Sequence, residues 1–351
     1  MADRTVIVDG TTSGTPGTNG AHYASLAAAI SGEVGAAPDL VSGAAILHIE
    51  CQTFSGSAAD TASVDVVGFT TDSTHYVRIY TQAASRHTGT WDAAKYRLEV
   101  ANPAVAVLRI RQEFTRVEGM QVRKSASNAN DQMIVYIEAQ SAATVYLSDS
   151  IIRNVPGDAF RAPNIWVVDS DVTAYIWNCI CYGSPDVVSN YASAIMVEGG
   201  AAVVYSCTGI GGFNGFFLSV GATATCKNCY FAENSTDGSA ASITENGSFT
   251  QVTCAVNDGS TLVDAGLRNI AHDTATFTNV TPGSENYHLP IGSPLINVGT
   301  NTSGESAPLN FSTDIDGVTR TGTWDIGADE RVTAAPPLTL VGRTVLDDVE
   351  M

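Results

Sequence analysis

The chain has 351 residues, 44% hydrophobic and 15% charged, and its 36 acidic against 17 basic side chains leave a formal net charge of −19. That composition excludes disorder through the body of the chain, and the negative field opposes a phosphate backbone or an anionic surface, so nucleic-acid binding is not expected. No apolar stretch approaches the roughly 20 residues that cross a bilayer, so membrane insertion is not expected either.

The first residues meet an acidic side chain at Asp3 and hold only the short apolar run Val6-Ile7-Val8, too short for the apolar region of a secretory signal. Residues 1–20, rich in Gly, Thr and Asp, read as a polar arm. Tyr23 to Ile30 then reads as a short helix with Ser25 as its N-cap, followed by a strand at Ala45 to Ile49. Further along come short β-rich pieces. Val105–Ile110 is followed by Val117–Val122, and Met133–Ile137 by Val145–Ile151. Then come Ala194–Val197, Val203–Tyr205, Phe216–Leu218 and Phe249–Val252. They have the length of strands, and almost no amphipathic helix lies between them.

Cys179, Cys207, Cys229 and Cys254 recur at spacings of roughly 20–30 residues. Eight positions before them stand Asp171, Gly199, Gly221 and Asn246, and four positions after them Gly183, Gly211, Glu233 and Asp258. Most of these are turn formers. Three features at one offset define a repeat, and its period predicts coils of parallel β-structure that bury an inner face only by stacking. In the two earlier coils Gly119 and Ser150 take the cysteine's place, which predicts a ladder of small residues ~4.8 Å apart. Cys226-Lys227-Asn228-Cys229 also has the spacing of a redox or zinc half-site. No second such pair exists, His272 and His288 are remote in sequence, and the register accounts for Cys229 as a ladder residue. Seven cysteines, an odd and scattered set, favour free thiols.

Near the end stand Gly292-Ser293-Pro294-Leu295-Ile296-Asn297-Val298-Gly299, then Asp314-Ile315-Asp316-Gly317-Val318-Thr319-Arg320, then Asp325-Ile326-Gly327-Ala328-Asp329-Glu330. This series resembles the terminal coil of right-handed parallel β-helix proteins of the pectate-lyase-like kind. The resemblance implies an all-β, single-stranded parallel β-helix over residues 40–330, with 290–330 as its terminal coil. Residues 1–39 then form an arm and capping helix, and 331–351, which pass through Pro336-Pro337, an extended tail. That family spans adhesins, surface proteins, polysaccharide-active enzymes and phage proteins, so the resemblance implies fold more than activity. The start of the chain, from the polar arm through His22–Ile30 to Ile49-Glu50-Cys51, also resembles phage structural β-helix modules.

Asp314, Asp316 and Asp325 are the metal-ligand candidates, because Asp-x-Asp-Gly opens a calcium loop. Val318 stands where such a loop needs an oxygen ligand, and Asp325 where it usually has Glu. Turn formation with an Arg320–carboxylate pair is the competing account. No cofactor is expected. For catalysis, Glu198 and Glu245 precede equivalent turns with one coil between them, roughly 10 Å apart, at the edge of the separation an inverting glycosidase uses. Asp149 and Asp169, with Asp171, form a second candidate group. Solvated surface carboxylates are the competing account of both, and no Arg or Lys falls in register beside either. Tyr182, Tyr191, Phe213 and Tyr230 fall near turns, where exposed rings could stack on sugars.

The pattern points away from an enzyme. It suggests a bacteriophage virion structural protein: a surface β-helix held to capsid or tail proteins through its terminal arms, as a homo-oligomer such as a trimer. The alternatives are a tailspike or secreted polysaccharide depolymerase, and a non-catalytic adhesin for a host surface glycan. The expected location is the virion, or else the extracellular space or cell surface.

Overall fold

The computed structural model describes residues 3–126, 133–138, 143–154, 163–183, 192–233, 241–258 and 269–331. Its strands form one ten-stranded and two seven-stranded sheets, and each strand pairs with its counterpart one coil away. One coil gives the plan. Ile165–Val167 lies in the second sheet, Val172–Trp177 in the first and Ile180–Tyr182 in the third. The next coil repeats it in parallel register, with Ile165 beside Ile195, Thr173 beside Ala201 and Ile180 beside Thr208. The fold is a right-handed parallel β-helix.

Alternation sets which residues face inward. In Val172–Trp177, Val172, Ala174 and Ile176 are buried, while Thr173, Tyr175 and Trp177 face out. Stacking turns one inward position into a column that runs from Val6 through Ile49, Ile79, Val117, Leu147, Ile176 and Val204 to Cys226. Burying such a side chain contributes about 1.5–3 kcal/mol, and a single coil has nothing to bury it against.

The stack begins well before residue 40. Arg4–Val8 is a strand of the first sheet, paired on one side with His22–Tyr23 and on the other with Leu47–Cys51. The helix Leu26–Ala36 starts where the sequence predicts, with Ser25 accepting a hydrogen bond from Ala28 N at 3.1 Å. It buries Leu26, Ala29 and Ile30 over the first coil. Its buried Glu33 pairs with Arg4 (2.8 Å) and accepts from the Tyr23 hydroxyl (2.5 Å), tying the N-terminal strand to the cap.

Between the first and third sheets the chain turns within two residues. The first has a left-handed backbone in every coil from the fourth on: Gly119 (φ 70°), Asp149 (53°), Asn178 (51°), Ser206 (50°), Asn228 (55°) and Thr253 (51°). The second points inward. Because Gln121 pairs with Ile151, the inward ladder runs Met120, Ser150, Cys179, Cys207, Cys229, Cys254, all with no exposed surface. The expected ladder is thus corrected by one place at its start: Gly119 is the turn residue, and Met120 holds the inward position. Ladder neighbours touch through polar atoms, Met120 N donating to Ser150 Oγ (3.0 Å) and Cys179 N to Cys207 Sγ (3.5 Å). All seven cysteines are free and buried.

The largest departure from the sequence reading concerns residues 290–330. Among the described residues, 269–331 contribute no strand to any of the three sheets. They form a strap across the outer face of the third sheet. Phe277, Tyr287, Leu289, Leu295, Ile315 and Ile326 bury there against Ile180, Tyr182, Ile210 and Tyr230, making a second apolar core. From Ile151–Arg153 onward the third sheet is therefore buried on both faces. The strap leaves the last coil at Ile270, whose N–H donates to Val256 O, and reaches back to Arg86, which donates to Ile315 O. The tail after Arg331 lies outside the described residues.

Ser206 holds a left-handed backbone, and its buried hydroxyl has no partner among the described residues. Left-handed φ costs a non-glycine residue about 1–2 kcal/mol, more than the extra chain entropy glycine loses on folding. Ser206→Gly is therefore expected to stabilise the fold by about 1 kcal/mol, read as a higher urea midpoint with an unchanged slope.

Candidate functional site

The carboxylates singled out in the sequence fall in four places. Glu198 and Asp171 line an open groove of about 440 Å³ between the second and first sheets, together with Ser170, Val220 and Gly221. No Lys, Arg or His lines it. Glu245 does not line the groove. It pairs with Leu218, which pairs with Val197, so it shares the register of an inward column but stands exposed on the last coil, while Glu198 sits in the turn beyond Val197. The two glutamates do not occupy equivalent positions because the turns differ in length from coil to coil. Asp169 belongs to the same corner as Asp171, whose N–H it accepts at 3.3 Å.

Asp149 is at the opposite end of the first sheet. A six-residue strand separates the two corners, a distance of about 20 Å. Asp149 takes Asn178 Nδ2 at 3.1 Å and lies 3.6 Å from Arg86. Burial nevertheless raises its pKa above the usual carboxylate value, with Arg86 only partly opposing. Its neighbour His87 donates from Nε2 to Asp149 O and accepts Gly89 N at Nδ1, and burial drives that imidazole down to about 3. His87 is therefore neutral at every ordinary pH.

The strap carboxylates do not form a calcium loop. Asp314 accepts from three backbone N–H groups, those of Asp316, Val318 and Glu330. Asp325 accepts from Asn297 and Arg331. Both are spent on holding the turns. Arg320 is buried and donates to Glu330 (3.2 Å) and to the carbonyls of Gly327 and Ala328. Asp316 differs: it meets His288 at 2.7 Å, and ligand atoms of His288, Asp316 and Asp329 all lie within 4.8 Å of one another. Burial lifts Asp329 to about 6.

The aromatic candidates are corrected as well. Tyr182, Phe213 and Tyr230 are buried, at 4%, 5% and 0% exposure. Tyr182 and Tyr230 lie under the strap, against Tyr287 and Phe277. Tyr191 lies outside the described residues.

A run of partly exposed rings stands instead on the outer face of the first sheet. Arg78, Arg116, Tyr146 and Tyr175 share one outward column. The Arg116 guanidinium lies between two rings, 3.9 Å from the centroid of Tyr76 and 5.0 Å from that of Tyr146, and Tyr146 stacks on Tyr175 at 5.5 Å. Arg78 is neutralised by Glu118 at 2.6 Å. Arg116 makes no ion pair among the described residues, and its buried Nε has no partner. Sequence reading missed this strip because its members lie in coils of different length, and only the strand register aligns them.

No protein-family model matches the chain, and no curated protein matches it. Among solved structures, the pectate lyase Pel9A is similar with a TM-score of 0.46 at 11% identity, over 95% of this chain and 97% of that one.

Asp149 supplies a test of the corner. Its folded pKa is raised, so the destabilisation it imposes is absent below the unfolded pKa and sets in as pH rises through the folded one. Asp149→Asn places there the residue that coils at Asn178 and Asn228 already use. The variant's gain in melting temperature over wild type is expected to be larger at pH 7 than at pH 4.

Proposed function

We propose that the chain is a surface-presented, non-catalytic β-helix module that binds a glycan with carboxylate substituents along the outer face of the first sheet. The observation that carries this is Arg116: a guanidinium with no ion pair among the described residues, set over the rings of Tyr76 and Tyr146, in a chain with a large excess of acid. Covered faces direct a guanidinium's binding to its N–H edge, which suits a carboxylate. Tyr146 and Tyr175 extend the strip along the helix axis, coil by coil, so a linear polymer lying on the sheet would meet it over several sugar units. The groove at Glu198 and Asp171 offers carboxylates but no cation for a uronate, which favours binding over cleavage as the role of this chain.

A bacteriophage particle is the setting the N-terminal resemblance favours, with the module held to capsid or tail. Mass spectrometry of purified particles is expected to find the chain. Many copies on heads would indicate decoration, few copies on tails a spike, and its absence from particles would remove the virion reading.

For the strip, calorimetry with a polyuronate and with a neutral glucan at physiological salt, where the long-range repulsion of the acidic chain is screened, is expected to show binding of the first only. A charge-assisted contact is worth about 1.5–3 kcal/mol, so Arg116→Ala should cost about tenfold or more in affinity. Tyr146→Ala should also weaken binding. Unchanged affinity in Arg116→Ala would sink the site, and release of reducing or unsaturated ends would replace this reading with the depolymerase.

A further inference from the structure

His288 occupies an arrangement that a neutral imidazole does not satisfy. Asn286 Oδ1 accepts the backbone N–H of His288 at 3.1 Å, and this fixes which end of the amide faces the ring. The same oxygen lies 2.6 Å from Nδ1, so Nδ1 carries a hydrogen and donates. Nε2 of the neutral ring is then a lone pair, and it points at Asp316 Oδ2 from 2.7 Å. Two acceptors so close are held by a cation: a proton on the 2.7 Å line, or a metal ion beside it with the two ligand atoms spread slightly apart.

The surrounding carboxylates decide between the two. Asp316 Oδ1 is buried and has no hydrogen-bond partner among the described residues. Asp329, only 6% exposed, receives a single hydrogen bond among the described residues, from Leu289 N to Oδ2 at 2.7 Å. A proton on Nε2 satisfies one contact and leaves two carboxylates against one positive charge in a group whose third member, Asp329, is buried. A divalent ion bound by one neutral imidazole and two carboxylates balances the charge and engages the open oxygens. A backbone carbonyl-type acceptor on the far nitrogen is also what orients and strengthens a metal-binding histidine. Gly89 roofs the group: a Cβ there would overlap Asp316 Oδ1 and come within 2.6 Å of His288 Nε2.

We propose that His288 Nε2, Asp316 and Asp329 bind one divalent ion of the zinc class, which ties three parts of the strap together beneath the Gly89 loop of an early coil. Imidazole with carboxylates selects a borderline transition metal over calcium, which takes oxygen ligands alone. The ion is structural, holding segments that are distant in sequence.

The test uses the full chain, stripped with a chelator and titrated with Zn²⁺ by calorimetry, with Co²⁺ absorption as a second measurement. Wild type is expected to bind one Zn²⁺ per chain at micromolar concentration or tighter, and to melt higher with Zn²⁺ than without. His288→Gln and Asp329→Asn should lose that equivalent. His22→Gln, which removes the histidine paired with Asp9 at the other end of the chain, should keep it. Asn286→Ala, which leaves all three ligands in place, should weaken binding roughly 10–100-fold. Absence of Zn²⁺ binding by wild type, or a full equivalent retained in His288→Gln with an unchanged Co²⁺ spectrum, would overturn the proposal.

Discussion

The structure depends on a corner. Between the first and third sheets the chain must reverse within two residues while keeping parallel register above and below. That geometry forces a left-handed backbone at one position in each coil from Gly119 to Thr253. Two consequences follow from one constraint. The next residue is driven inward, where the ladder from Met120 to Cys254 fills the wall of the core. The turn residue itself is driven outward with its side chain free to bond. Asn178 donates to Thr313 O at 2.7 Å, and Asn228 both donates to Thr300 O and accepts Thr300 N. The corner thus supplies the docking points for the strap, and the choice of asparagine answers a backbone need and a binding need together.

With the strap in place, charge becomes the second organising factor. A chain at −19 must hold many carboxylates without driving its own coils apart. It does so partly by spending them on backbone N–H groups, as at Asp314 and Asp325, and partly by pairing, as at Arg320 and Glu330 or Lys227 and Glu305. Against that pattern the groups that remain unspent stand out: a guanidinium at Arg116, and carboxylate oxygens at Asp316 and Asp329. The first lies on an open face and the second beneath a loop, so one is placed for an external ligand and the other for an internal ion.

The sequence made the inner architecture legible and the outer one less so. Cysteine spacing from Cys179 onward, the turn residues Asp171, Gly199, Gly221 and Asn246 and the Ser25 cap correspond to real positions, because inward packing and backbone sign restrict residue type strongly, whereas Gly211 and Glu233 end strands of the third sheet. At Gly119 the reading slipped by one, since glycine satisfies both smallness and a left-handed turn. Residues 290–330 read as a terminal coil because the series from Gly292 to Glu330 resembles one, and a motif resemblance does not say whether the segment stacks on the coils or lies across them. A signal was nonetheless present. Ile180-Cys181-Tyr182 and Tyr230-Phe231-Ala232 are apolar at consecutive positions, as strands covered on both faces must be. The same signal explains why Tyr182 and Tyr230 are not surface rings. Glu198 and Glu245 were aligned on the first sheet's repeat, whereas the second sheet runs on its own register, set by turns of unequal length. The Tyr76–Arg116–Tyr146 sandwich left no local pattern, because its members meet only through coil stacking.

A bare stack of coils behaves as a one-dimensional array, in which each unit answers only to the units above and below and the ends can fray one layer at a time. The strap changes that. Its bond from Arg86 to Ile315 O joins residues 229 apart in sequence, and others span 135 and 142. An early layer cannot open without releasing a segment that also holds later ones, so unzipping from the N-terminal end is coupled to the far end of the molecule. The protein should accordingly unfold under heat or pulling as a single cooperative body, a property suited to a rod that must keep its shape under load.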